Sequence, residues 1–478
     1  MSDEENPTDR AEPWRVKVVD HIRRTSPEER ERLLKEAGHN PFALRAEDVF
    51  IDLLTDSGVG AMSADQWAGM MTGDESYAGA RNFYALKESV QAVMGFPHVL
   101  PAHQGRGAEH VLCAALVKRG DIVPSNALFD TTRAHVEYAG AQGLDLLHDH
   151  AYNTEDEHPF KGNIDLKALE RVLTDAKQGQ VPFAILTATC NMTGGQPVSM
   201  ENIRAAARLL GEFQVPLLFD AARFAENCYF VKQREPGYND ASVAEIAREL
   251  FSHGAGCTMS AKKDALVNIG GFLAFREEGP YAKCLPYGIL FEGYSTYGGL
   301  AGRDLEAMAR GLREGVDESY LRARTHQVRL LGKRLVRAGV PVLKPTGGHA
   351  VYVDAARFLP HIPWNEFPGH ALACALYLSS GVRAVEIGSL MAGRDPSTGG
   401  NRRARMELMR LAVPRRTYTD NHMEYVADAV LRLFERREEI SGVEFASEAP
   451  VLRHFSSTFR PIVSRGSRRS AGKGEVTG

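Results

Sequence analysis

The chain has little excess charge of either sign. Lys and Arg number 57 and Asp and Glu 61, a net charge of −4 over 478 residues. A nucleic-acid binder normally shows a basic face or stripe, so this balance argues against that class. Six cysteines (Cys113, Cys190, Cys228, Cys257, Cys284 and Cys374) are scattered singly, with no C-x-x-C pair. That favours reduced cytosolic thiols over a disulfide framework or a zinc site. No apolar run approaches the roughly 20 residues that span a bilayer, so no membrane role is expected. The start, Met1-Ser2-Asp3-Glu4-Glu5, is acidic where a signal peptide is basic and then apolar. The expected location is cytoplasmic. Neither internal repeats nor long low-complexity segments occur. A dinucleotide fingerprint fails at His110, where G-x-G-x-x-G needs glycine, and no G-x-x-x-x-G-K-[ST] loop exists. NAD and ATP are therefore poorly supported.

What is present reads as a soluble globular protein, 44% hydrophobic and 25% charged. At roughly 100–200 residues per domain, the length suggests two or three domains, with room for a deep cleft. Phe183–Leu186 is an apolar run of strand length. Ser199 then caps a helix with Ile203, Ala206, Ala207 and Leu210 on one face, and Val215–Phe219 is a second strand ending at Asp220. This βαβ unit implies an α/β fold with a parallel sheet covered by helices. Further elements follow: a helix face at Val243, Ile246, Ala247 and Leu250, strands at Cys257–Met259 and Gly271–Phe275, and a late helix at Val426, Ala429, Val430 and Leu433. The expected organisation is an N-terminal segment (1–54) packing with a small domain, a large domain (55–310), a small α+β domain (311–459) and a disordered basic tail (460–478). That tail holds Arg465, Arg468, Arg469 and Lys473.

Three polar clusters follow strands, where open α/β sheets bind ligands. Asp220-Ala221-Ala222-Arg223 is one; alone, Asp220 reads best as a helix N-cap. Ser260-Ala261-Lys262-Lys263-Asp264 is another. The third is His103-Gln104-Gly105-Arg106-Gly107-Ala108-Glu109, whose glycines let backbone N–H groups approach an anion at a helix N-terminus. Pyridoxal phosphate uses all three. It needs a lysine amine for a Schiff base (Lys263), a carboxylate against the pyridine nitrogen (Asp220), and an anion cradle (Gln104, Gly105 and Arg106, with Ser260).

With these residues in view, the chain resembles the β-eliminating lyases, the family of tryptophanase and tyrosine phenol-lyase. The matching segments include IDLLTDSGVGAMS (51–63), GDESYAGARNFY (73–84), PAHQGRGAE (101–109), FDAARFAEN (219–227), MSAKKDALVNIGGF (259–272), PTGGHA (345–350), RLAVPRR (410–416) and VLRHF (451–455). The resemblance implies the aspartate aminotransferase-like fold (fold type I) of pyridoxal-phosphate enzymes, and a homotetramer with active sites at dimer interfaces. It implies that Lys263 holds the cofactor and takes the substrate Cα proton, that Phe129 stacks on the ring, and that Asp220 pairs with its nitrogen. Arg223 would meet the phenolate oxygen, with Asn191 nearby, and Lys262 would order the site. Arg410 would grip the α-carboxylate, with Thr55 also touching substrate. Tyr77 of a neighbouring subunit would protonate the leaving carbon. A potassium ion would sit on Glu75 and the carbonyls of Gly58 and Asn268.

Three places resemble the tryptophanase version: Phe129-Asp130, Val385-Glu386-Ile387-Gly388 and Arg453-His454-Phe455. Ile387 would leave an apolar slot for indole, while Asp130 and His454 would serve the indole N–H and the proton at C3. A site without a hydroxyl partner discriminates against a phenol. The expected reaction is L-tryptophan plus water to indole, pyruvate and ammonia. The alternative is a tyrosine phenol-lyase, or a related β-lyase acting on a modified aryl amino acid or an S-substituted cysteine. Arg133 departs from the family pattern and is near enough in sequence to pair with Asp130.

Overall fold

The computed structural model describes residues 11–395 and 398–462. The basic residues of the expected tail, Arg465 to Lys473, lie outside the described residues. Arg460 and Pro461 do not belong to a tail. The strand Thr458–Pro461 pairs antiparallel with Val443–Ser447, and Arg460 meets Glu444 at 2.7 Å.

A seven-stranded sheet forms the centre. Its strands are β1 (His98–Ala102), β2 (Ile122–Ser125), β3 (Gln142–Asp145), β4 (Ala184–Thr187), β5 (Leu217–Asp220), β6 (Gly256–Ser260) and β7 (Gly271–Phe275), in the order β1-β7-β6-β5-β4-β2-β3. The neighbours from β6 to β3 run parallel, and β7 is antiparallel to both β6 and β1. The short link from Ser260 to Gly271 explains the exception, because a parallel return needs a crossover of a dozen or more residues.

Strand alternation buries both faces. Leu217 and Phe219 join a core with Leu86, Val90, Ile203, Leu210, Ile246 and Leu250, while Leu218 points the other way, to Val111, Leu112 and Val136. Ser199 caps the helix Met200–Glu212 by accepting the Asn202 N–H.

A second core is built around β8 (Ala350–Asp354), β9 (Val385–Ile387) and β10 (Leu408–Ala412), antiparallel in the order β9-β10-β8. Ile51 and Leu53 from the N-terminal side join it, and Ile51–Asp52 pairs with Val382–Arg383. The carboxyl ends of β4, β5 and β6 open towards this second unit. No helix among the described residues is long and apolar enough to cross a membrane.

Candidate active site

Most of the residues singled out from the sequence meet at those strand ends. One cavity is lined by Gln104, Gly105 and Arg106, by Phe129, by Asn191, by Asp220 and Arg223, and by Ser260, Lys262 and Lys263. Gln104 is the residue before the helix Gly105–Leu116. A Cβ at Gly105 would stand 2.6 Å from Ser260 Cβ, so only glycine lets the helix start this close to the end of β6. Lys262 Nζ reaches Gln104 Oε1 at 3.3 Å, and Lys263 Nζ donates to Ser260 Oγ at 2.7 Å. Burial, reinforced by the Arg223 charge, pulls the Lys263 ammonium down to about 8.

Asp220 ends β5 and is buried. It caps no helix: the next one, Phe224–Arg234, is preceded by Arg223, and the Asp220 Oδ1 accepts the Ala222 N–H at 3.1 Å. The carboxylate is thereby turned into the cavity. Burial raises its pKa, and the Ala222 N–H and the Lys263 charge oppose that rise.

Arg223 is less free than a phenolate partner would be. Its Nε and Nη2 grip Asp56 at 3.0 and 2.7 Å, leaving Nη1 outside that fork. Arg410 donates from Nη1 to Asn191 Oδ1 at 3.1 Å and from Nη2 to the Leu54 carbonyl at 2.9 Å, next to Thr55. Its buried Nε has no protein partner.

The Asp130 and His454 side chains come together, Oδ2 to Nε2, at 3.8 Å. Burial, with Arg453 and Arg410 nearby, holds His454 down at about 4, and burial raises Asp130. Arg133 does not pair with Asp130. It turns to Asp145, at the end of β3, at 2.6 Å and to the Gly143 carbonyl at 3.0 Å. Beside the cavity runs a larger cleft, lined in part by Asp130, Met192, Ile387, Met391 and Leu408.

Two expectations fall elsewhere. Tyr77 is 70% exposed and packs on Tyr294 and Tyr297, away from the cavity of its own chain. Gly58 and Asn268 touch, with Asn268 Nδ2 on the Gly58 carbonyl at 3.0 Å. Glu75, however, is held by the Gly302 N–H and by Arg303 Nε, each at 2.9 Å. Among the described residues, no group of three or more His, Cys, Asp or Glu is placed to hold a metal.

A family model described as β-eliminating lyase matches residues 52–429. The chain is 54% identical over 450 residues to a tryptophanase of Salinibacter ruber, covering 94% of this chain and 95% of that one. It is 50% identical over 452 residues to a tyrosine phenol-lyase of Symbiobacterium sp., covering 95% and 99%. The chain belongs to the β-eliminating lyase family. It is a lyase dependent on pyridoxal phosphate.

The fold agrees. A serine palmitoyltransferase from S. paucimobilis and an aromatic aminotransferase from Pyrococcus horikoshii each superpose with a TM-score of 0.58 at 14% identity. Both cover 86% of the lyase, and the lyase covers 96% and 100% of them. This is the fold type I architecture expected from the sequence.

The cavity suits the cofactor. It offers an amine, a buried carboxylate, an aromatic ring and an arginine beside a helix start, and the buried Thr189 Oγ1 on its wall has no protein partner.

Sequence reasoning passed over several groups. Glu109, on the cavity wall, accepts the Thr131 and Thr132 hydroxyls at 2.6 and 2.8 Å, and burial and the Asp220 charge raise it to about 7. His349 is buried and kept neutral by desolvation and the Arg223 charge, and it bonds Asn191 Oδ1 at 3.1 Å. Asp56, which holds Arg223, also holds Arg415 at 2.8 Å. Glu109 stands in the third polar cluster but was given no role there; Asp56 and His349 carry no local signal and read as ordinary loop residues until the second unit folds over the sheet.

Proposed function

We propose that this lyase cleaves L-tryptophan to indole, pyruvate and ammonia. The observation that carries the reading is the wall of the cleft. Ile387 packs with Leu343, Tyr352, Leu408, Met192, Met391 and Met406, an apolar surface for a benzo ring, and the Asp130–His454 pair lies at the same cleft. A phenolic hydroxyl facing Ile387 would lose its hydrogen bonds, a loss that costs a substrate heavily.

Pyridoxal phosphate, when bound, supplies the electron sink for the charge left on Cα. Lys263 would hold it, with Asp220 at the ring nitrogen, Phe129 on a ring face, and Gln104, Gly105, Arg106 and Ser260 around the phosphate. Arg410 binds the substrate α-carboxylate: a planar fork suits it, and Nε has no other partner. Its neighbour Thr55 borders the same end of the substrate. Lys263, with its lowered pKa, is a base strong enough to take the Cα proton and neutral enough to accept it near physiological pH.

Indole must leave protonated at C3. Tyr77, exposed and facing outward in its own chain, would do this for a second copy of the chain. This supports active sites shared between subunits of a homotetramer. His454, kept uncharged at neutral pH by burial, faces the leaving group as a neutral imidazole rather than as a fixed cation. A potassium ion held by Glu75 and the carbonyls of Gly58 and Asn268 belongs to the same proposal, and there it would take the place of Arg303, which pairs with the half-exposed Glu75 in the single chain.

A tyrosine phenol-lyase reading has relatives of about equal identity behind it, such as those of Symbiobacterium sp. and Intrasporangium calvum at 50% and 51%. The deciding experiment compares product release by the holoenzyme. Indole from tryptophan should exceed phenol from tyrosine and thiol from S-alkyl cysteines in kcat/KM. Phenol release equal to or above indole release would reject the proposal.

A further inference from the structure

Glu109 is a buried acid on the cavity wall that has no task in the reaction proposed above. It stands on the helix Gly105–Leu116, whose first residues form the phosphate cradle. Its two oxygens take the hydroxyls of Thr131 and Thr132, the residues that follow Phe129 and Asp130. One carboxyl therefore ties the cradle helix to the turn carrying the ring-stacking Phe129 and the proton-handling Asp130.

The charges around it come from several elements. Asp220 faces it from β5 and Asp130 from the helix Asp130–Tyr138. Arg106 and Cys113 share its helix, Lys263 lines the same cavity, and Glu292 packs at the start of the helix beside Gly107. Two buried carboxylates in one low-dielectric cavity do not ionise independently. Asp220 has to be ionised to keep the cofactor nitrogen protonated, so the neutral partner is Glu109, whose two hydroxyl contacts tolerate either protonation state.

We propose that Glu109 is a positioning residue for the cofactor, fixing Phe129 and Asp130 against the phosphate cradle and tuning, by gain or loss of its proton, the charge that the cofactor feels beside Asp220. This rests on the cofactor placement proposed above. Burial and the Asp220 charge put the change near pH 7.

The test is a pH titration of the visible absorption band of the cofactor bound to wild-type holoenzyme, Glu109→Gln and Thr132→Val. Gln keeps an oxygen for the threonines and removes a negative charge that otherwise appears as pH rises. A nearby negative charge favours the protonated, cationic form of the cofactor's link to Lys263. Its removal should therefore move the titration to lower pH, by about half a unit or more. Thr132→Val removes one donor from Glu109, keeps it protonated to higher pH, and should shift the band the same way by less. A titration in Glu109→Gln that coincides with wild type overturns the proposal. If that variant fails to fold, an unshifted Thr132→Val does the same. No cofactor band in the wild type would instead reject the cofactor placement itself.

Discussion

His454 is nearly buried, sits 3.8 Å from Asp130, and has no hydrogen-bond partner for either ring nitrogen among the described residues. A polar ring left so poorly satisfied is costly unless a ligand completes it. His454→Phe should keep the fold, since Phe42 and Phe455 already pack against the ring. It should lower tryptophan turnover by about 10²-fold or more. S-alkyl cysteines, whose thiolate leaves with little protonation, should lose far less. Equal losses in kcat on the two substrates would make His454 a packing residue. At this scale the chain was legible where a residue sits at a strand end: Asp220, Lys263 and Ser260 stand where the βα pattern puts them. Arg133 was not legible. It lies one helical turn from Asp130, yet its long side chain reaches across to Asp145, and nothing in the local sequence ranks one carboxylate above the other.

Two adjacent strands of the small sheet carry a pair of buried acids. Glu386 on β9 accepts the Leu390 and Met391 N–H groups at 3.1 and 3.2 Å, and Glu407, which immediately precedes β10, accepts from the Ser389 N–H and hydroxyl. A Cβ at Gly388 would lie 2.6 Å from a Glu386 oxygen and closer still to one of Glu407, so both acids clamp the turn that follows Ile387. Burial and the mutual charge raise Glu386, and burial raises Glu407 to about 7. Both pKa values are raised on folding, so the folded state binds the protons more tightly. For Glu407 the stability this contributes is complete below about pH 4.5 and is lost as pH climbs through about 7. It amounts to about 1.4 kcal/mol for each pH unit by which folding raises a carboxyl. Glu407→Gln should therefore flatten the fall of Tm between pH 5 and 8; Tm curves parallel to wild type would refute the raised pKa of Glu407. The strands and helices themselves follow from apolar period and caps. The reversed β7 does not, because direction depends on how far the chain must travel and not on the strand's composition.

Across the whole molecule, Asp56, Glu226 and Asp264 interlock with Arg223, Arg324 and Arg415, all buried. The group joins the sheet domain, through Arg223, Glu226 and Asp264, to Asp56 and Arg415 of the segments beside the second core. Asp264 also receives the Ala225 N–H at 2.8 Å, which anchors the residue after Lys263 to the helix Phe224–Arg234. Asp56→Ala would leave Arg223 and Arg415 short of a carboxylate and should cost about 3–5 kcal/mol, seen as a lowered denaturation midpoint. A loss under about 1 kcal/mol would mean that solvent reaches the network. Sharing of sites between subunits is checked by mixing. Lys263→Ala and Tyr77→Phe should each be nearly inactive alone, and co-expressed hybrids should regain activity, because one site then pairs an intact Lys263 with an intact Tyr77. No recovery would place Tyr77 outside the reaction. The sequence by itself determined the βα alternation, the strand-end chemistry and the lyase family, because periodicity and short motifs are properties of neighbouring residues. The tertiary structure alone decided that Arg223 answers to Asp56, that Arg133 leaves Asp130 to His454, and that Glu109 and His349 face the site. Those pairings join residues far apart in the chain, and burial, which makes each charge seek a partner, exists only once the two cores close on each other.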